Sequence, residues 1–109
     1  MGRFTYQTST TTDIEDRALA HLQVVIAGKL RRRESFVFTW KDVSHMRAGR
    51  VSVWMNQSIP ISFKYFGSRT PTLNKNWLEA LAMTANSATG LYLVPEPAEP
   101  ETPDEAPSS

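Results

Sequence analysis

Hydrophobic and polar residues alternate along three segments in the middle of the chain. The segments are 35–40, 50–56 and 59–65, and each carries β-branched or aromatic residues at alternate positions. This period of two is typical of half-buried β-strands. Because the connections between the segments are short, we expect them to form an antiparallel meander. Gly2–Tyr6 and Leu91–Val94 predict a first and a last strand.

A longer period, of three to four residues, indicates a first helix. We expect it to follow a polar loop and to begin at Thr12, which has a capping-box partner in Glu15. The apolar positions that follow form one stripe along the helix. We expect the helix to end between Ala27 and Arg32, where cations suit the helix dipole.

A second helix is predicted between Thr70 and Gly90. Pro71 suits the first turn of a helix, and glycine is common just beyond the last turn. The complete order of elements is then β-α-β-β-β-α-β. This order indicates an α+β fold in which one antiparallel sheet carries both helices on one face.

Charge divides the chain into two parts. Residues 1–94 contain 12 Lys+Arg and 6 Asp+Glu, whereas residues 95–109 contain five acids, no base and five of the seven prolines. We expect residues 1–94 to form one compact α+β domain. Residues 95–109 cannot bury enough apolar surface to offset chain entropy, so we expect a disordered acidic tail.

Several function classes have no support in the composition. The chain lacks cysteine, which excludes a disulfide, a thiolate nucleophile and a zinc finger. Neither a signal peptide nor a membrane-spanning segment is apparent, so we expect a cytoplasmic protein with no membrane partner. Two histidines supply few metal ligands, and the glycines form no phosphate-binding motif. We expect neither a metal nor a cofactor.

The candidate catalytic groups are few. His21 lies in the first helix near the apolar stripe, where a structural role is the simpler interpretation. Asp42, Ser44 and His45 share one loop, but a triad requires a geometry that a single loop rarely provides. Gly67–Arg69 precedes the second helix and could offer backbone N–H groups to an anion, although such turns are common in their own right.

The basic residues provide the strongest functional lead. Ten of the twelve lie between Lys29 and Lys75, and a surface of this kind attracts nucleic acid through counterion release. Trp54 and Phe66 are expected near these charges on the less apolar sheet face, where aromatic rings can stack on bases. The predicted nucleic-acid-binding residues are Lys29, Arg31, Arg32, Arg33, Arg47, Arg50, Lys64 and Arg69.

Several strings of residues carry a family resemblance: Asp16–Ile26, Lys29–Arg32, Glu34–Phe36, Trp40, Phe66–Arg69, Trp77–Leu81 and Thr84–Ser87. Together they resemble a family of small actinobacterial proteins that are often labelled ATP-dependent DNA ligase, over most of residues 1–97. The label implies a lysine nucleophile in a K-x-D-G setting, because the adenylate forms on that amine. None of the four lysines in the sequence stands in such a setting.

The sequence leaves three functions open. The first is a non-catalytic binding module that associates with DNA or RNA through its basic surface. The second is a protein-interaction or assembly module, including a homodimer, in which an exposed sheet face or edge recruits a partner. The third is the ligase activity that the label implies. The first interpretation depends on whether the basic residues share a face.

Overall fold

The computed structural model describes residues 1–42 and 49–100 and contains two helices and six strands in those ranges. The elements are β1 (Gly2–Tyr6), β2 (Thr10–Ile14), α1 (Asp16–Arg31), β3 (Phe36–Asp42), β4 (Gly49–Met55), β5 (Ile61–Tyr65), α2 (Lys75–Ala85) and β6 (Leu91–Tyr92). The α+β class predicted from the sequence is confirmed.

The strands form two sheets of three rather than the single meander expected. The first sheet has the order β2-β1-β5 and the second has the order β4-β3-β6, with β6 parallel to β3. The expected pairing of β4 with β5 is absent from the described residues, because β5 pairs with β1 and places Phe63 opposite Phe4. A short connection permits a hairpin but does not impose one, and here the cross-strand aromatic pair stabilises the alternative.

The polar segment before α1 is a strand, so the predicted loop and capping box are wrong. Thr12 lies in β2 and pairs with Phe4, and Glu15 is the N-cap residue without a side-chain capping hydrogen bond. Threonine is β-branched and favours the extended backbone, which explains the difference. The helix ends at Arg31, as expected.

The N-cap residue of α2 is Asn74 and not Thr70, which was expected to precede Pro71 in the first turn. Its side chain accepts hydrogen bonds from the backbone N–H groups of Asn76 and Trp77, as a good N-cap residue does. Gly90 lies beyond the helix with a φ of +88°, and a Cβ at this position would stand 2.5 Å from the Val37 carbonyl oxygen. The close approach of β6 to β3 therefore requires glycine.

The two sheets share one core, and Phe4 lies at its centre. The Phe4 ring is fully buried, and its centroid lies 5.3 Å from that of Phe38, 5.8 Å from that of Trp40 and 5.4 Å from that of Phe63. Such edge-to-face and tilted contacts add to the stabilisation from burial alone. Phe4 and Phe63 belong to the first sheet and the other two rings to the second, so this cluster joins the sheets.

The first residues of the predicted tail lie against both helices. Arg17 donates two hydrogen bonds to the Glu96 carboxylate, at 3.0 and 2.7 Å, and the Asn74 amide donates to the Pro97 carbonyl at 2.9 Å. The contacts of the domain thus extend past residue 94. Residues 101–109 lie outside the described residues, and the disorder of the tail stays a prediction.

We expect Phe4→Ala to lower the free energy of unfolding by roughly 3–5 kcal/mol, because it empties the junction between the two sheets. Denaturant titration followed by circular dichroism measures this change. Phe66→Ala removes a ring that is 51% exposed and serves as the control, with an expected effect below about 1 kcal/mol. Equal losses in the two variants would contradict the central position of Phe4.

Candidate nucleic-acid interface

Two of the predicted binding residues, Lys29 and Arg32, form ion pairs inside the protein. Lys29 is buried, and its Nζ donates to Asn86 Oδ1 at 2.6 Å and lies 3.2 Å from a Glu34 carboxylate oxygen. Arg32 pairs with the same carboxylate at 3.3 Å. Both cations thus pair with Glu34 at the end of α1, and Lys29 is buried there. Arg33, which follows, is exposed and has a φ of 62°.

The remaining predicted residues do not share one face. Arg31 and Arg69 line a groove beside α1. Lys64 lies on the outer face of the first sheet and Arg50 on that of the second. Arg47 lies outside the described residues. The described residues among these eight therefore do not form a single basic surface.

The outer face of the second sheet carries two exposed aromatic residues. This face, called the β4-β3-β6 face below, consists of Val37, Thr39, Lys41, Arg50, Ser52, Trp54 and Tyr92. Trp54 is 54% exposed and Tyr92 is 45% exposed, whereas Trp40 and Trp77 are buried. Exposed aromatic residues on one side of a sheet indicate a binding surface, because a partner that covers the rings would remove their apolar area from water.

Small polar residues separate these aromatic residues from each other. Thr39 and Ser52 lie opposite one another, and their hydroxyl oxygens are 2.7 Å apart. Tyr92 pairs with Thr39, and Trp54 lies one outward-facing position along β4 from Ser52. The middle of the face therefore carries the short, hydrogen-bonded side chains of Thr39 and Ser52, with a large aromatic ring on each side.

Two cations stand at the other end of the same face. Lys41 and Arg50 are directly opposite in the β3–β4 register, an arrangement in which like charges repel. Among the side chains that the structure describes, no carboxylate lies within 4.0 Å of either cation. A bound anion would relieve this repulsion.

The outer face of the first sheet differs although it also holds two opposed cations. Arg3 lies opposite Lys64, but its Nε donates to Asp13 at 2.9 Å. The Phe66 ring is within 5.9 Å of the Arg3 guanidinium and 5.6 Å of the Lys64 ammonium. The cations on this face therefore have partners inside the protein, and Phe66 does not lie on the same sheet as Trp54.

His21 is a structural residue. It is fully buried, its Nδ1 donates to the Arg17 carbonyl at 2.7 Å, and its Nε2 accepts from the Asn74 N–H at 2.7 Å. The ring also packs on Trp77, with centroids 4.5 Å apart. Both nitrogen atoms are occupied, so the imidazole joins the two helices and is not available to a substrate.

The other candidate groups for chemistry give no site in the described residues. The Gly67 N–H donates to Asp16 at 2.9 Å, and α2 begins several residues later at Lys75. The turn 67–69 is therefore not at a helix N-terminus, so the prediction that its backbone N–H groups bind an anion at such a terminus is wrong. The side chains of Asp42, Ser44 and His45 lie outside the described residues.

Neither a metal centre nor a membrane span is found in the described ranges. Within residues 1–42 and 49–100, no three His, Cys, Asp or Glu residues come together in a way that could hold a metal ion. Within the same ranges, neither helix has the length and hydropathy needed to cross a bilayer.

The polar network around Glu96 was not predictable from the sequence. Hydrogen bonds from Arg17 and then Asn74 lower the pKa of Glu96 to about 2. The Asn74 side chain also caps α2, so the network connects both helices to residue 96. Composition assigns Glu96 to the acidic tail, and only the folded arrangement of the two helices shows its partners.

This pKa predicts how acid destabilises the domain. Because the pKa of folded Glu96 lies below its ordinary value of 4.5, its ion pair stabilises the fold above that pH and is lost as the pH falls towards about 2. We expect the free energy of unfolding to fall less in Glu96→Gln than in the unmodified chain over this range.

Denaturant titrations between these two pH values measure the difference. Glu79→Gln removes an exposed glutamate of α2 and should keep the acid sensitivity of the unmodified chain. The same acid sensitivity in both variants would contradict a stabilising role for the Glu96 ion pair.

Comparison with known proteins places the chain in a family. No curated protein and no solved structure matches it. A family model described as a domain of unknown function, DUF7882, matches residues 1–96. The match takes in both helices and all six strands and ends at Glu96, the residue bound by Arg17. The chain therefore belongs to the DUF7882 family.

Proposed function

We propose that this chain is a non-catalytic module that binds single-stranded nucleic acid on its β4-β3-β6 face. The observation that carries the proposal is the exposure of Trp54 and Tyr92 on one sheet face that also holds Lys41 and Arg50. Aromatic side chains stack on unpaired bases of any sequence, and cations beside them attract the phosphates.

The dimensions of the face fit a short contact. Trp54 and Tyr92 lie on the two outer strands, about 10 Å apart across the sheet at ordinary strand spacing. Arg50 is four residues from Trp54 along β4, or about 14 Å. Two stacking positions and two cations therefore suit about two nucleotides, and we expect micromolar affinity for DNA or RNA.

A single strand suits this surface better than a duplex. Bases must be unstacked before aromatic rings can reach them, and recognition on an open sheet face is typical of unpaired nucleic acid. A duplex partner would instead require cations that follow two backbones, and the predicted basic residues do not share one face.

A protein partner on the same face is the second candidate function. Tryptophan, tyrosine and arginine dominate the binding energy of many protein interfaces, and this face presents all three. Addition of a partner strand at the edge of β4 has less support, because the Tyr6 hydroxyl already donates to the Trp54 carbonyl at 2.6 Å. The first sheet thereby occupies part of that edge.

The family resemblance extends the proposal without adding a reaction. From the resemblance we propose that the protein is actinobacterial. From the ligase label of the resembled proteins we propose DNA as a partner. Ligation itself is not proposed, since no lysine stands in the K-x-D-G setting. A cytoplasmic location is also proposed, and the absence of cysteine from the sequence agrees with a reducing compartment.

We expect Trp54→Ala and Tyr92→Ala each to weaken binding of a short fluorescent oligothymidylate by about 5- to 100-fold, the loss of one stacked base. Fluorescence anisotropy gives the affinities. Phe66→Ala is the matched control, because it removes an exposed aromatic ring from the other sheet and should leave the affinity unchanged. In the unmodified chain, bound oligonucleotide should quench the fluorescence of Trp54.

The salt dependence supplies a second readout of the same face. With two phosphate contacts, the slope of log K against log salt should be about −1.4 and should approach zero in the double variant Lys41→Gln, Arg50→Gln. Lys64→Gln should retain the slope. If the oligonucleotide fails to bind at low salt, or if Phe66→Ala weakens binding as much as Trp54→Ala, the nucleic-acid proposal is wrong.

A further inference from the structure

A groove of about 550 Å³ lies between α1 and the segment from Tyr65 to Leu73. Its volume falls within the range of roughly 300–1,000 Å³ that is typical of small-molecule sites. The α1 wall carries Ala20, Val24 and Ala27 and ends at Arg31, all at helical spacing on one face. This groove is separate from the β4-β3-β6 face, since the two share no residue.

Aliphatic side chains line part of both walls of the groove. Val24 on α1 is 43% exposed, and Leu73 on the opposite wall is 46% exposed. Pro71 and Ala27 also line the groove. Val24 lies on a helix whose other face fills the core. A bound apolar body would remove Val24 and Leu73 from water.

The groove also contains two cations and a hydrogen-bonded pair, Tyr65 and Gln23. Arg31 and Arg69 both line it, and among the described side chains neither has a carboxylate within 4.0 Å. The Tyr65 hydroxyl donates to Gln23 Oε1 at 2.6 Å. This bond leaves the Gln23 amide N–H groups available as donors.

We propose that the groove binds a free single-chain amphiphile with a carboxylate head, such as a fatty acid. The aliphatic chain would lie against Val24, Ala27 and Leu73, and the carboxylate would meet Arg31 and Arg69. Guanidinium groups bind carboxylates through paired, charge-assisted hydrogen bonds. A nucleic acid fits less well here, because the lining has a single aromatic ring, that of Tyr65, on which bases could stack.

Decanoate titrated into the full chain tests this proposal. The backbone amide NMR signals of Val24, Ala27 and Leu73 should shift, and each added CH₂ in a series from hexanoate to decanoate should strengthen binding by about two- to fourfold. The double variant Arg31→Gln, Arg69→Gln should weaken decanoate binding by about tenfold or more, the loss of hydrogen bonds to a charged group. Decanol, which lacks the charge, should bind the unmodified chain correspondingly more weakly.

Arg33→Gln is the matched control, because it removes an exposed arginine next to the groove that does not line it. It should leave decanoate affinity unchanged, and the melting curves of all variants should show that they fold. The double variant should also bind oligothymidylate normally, which separates this test from the proposed function.

Three results would overturn the proposal. The first is equal decanoate affinity in the unmodified chain and the double variant, and the second is signal shifts confined to residues outside the groove. The third is binding of phosphatidylglycerol vesicles or of an acidic peptide at these residues while decanoate has no effect. That result would assign the groove to a membrane surface or to a protein partner.

Discussion

The burial of Phe4 between two sheets is the constraint on which the rest of the structure depends. Its ring contacts Phe63 of its own sheet and Phe38 and Trp40 of the other, so the two three-stranded sheets share one core. The inner faces of both sheets are occupied by this arrangement. Trp54 lies on the opposite side of the second sheet and cannot reach the core, which leaves it for a partner.

The second constraint is a polar one and joins the helices to the end of the domain. The Asn74 side chain caps α2 and donates from its amide to Glu96 and Pro97, and the Asn74 backbone N–H donates to His21. Because buried polar groups are costly when unpaired, these contacts stabilise one relative position of α1 and α2. The groove beside α1 depends on this position, since its second wall is the segment that leads into Asn74.

Local patterns predicted the parts of the fold that local physics determines. The alternation of hydrophobic and polar residues predicted β3 and β4 and placed Trp54 on the face opposite the inward residues of its strand. The helical spacing of apolar residues and the cations that follow them predicted the end of α1. The pairing of β1 with β5 depends on residues far apart in sequence and was not predictable. Charge was misleading for a similar reason: Lys29 and Arg31 are neighbours in sequence, but only Arg31 faces solvent, because two positions along a helix lie on different sides.

The most direct test of the central claim is an amide and indole NMR map of the chain titrated with unlabelled oligothymidylate. We expect the Trp54 indole signal and the amide signals of Val37, Thr39 and Tyr92 to shift together, while the amide signals of Arg3 and Lys64 stay in place. Shifts confined to the Arg3 and Lys64 side, or no shift at any residue at low salt, would contradict it.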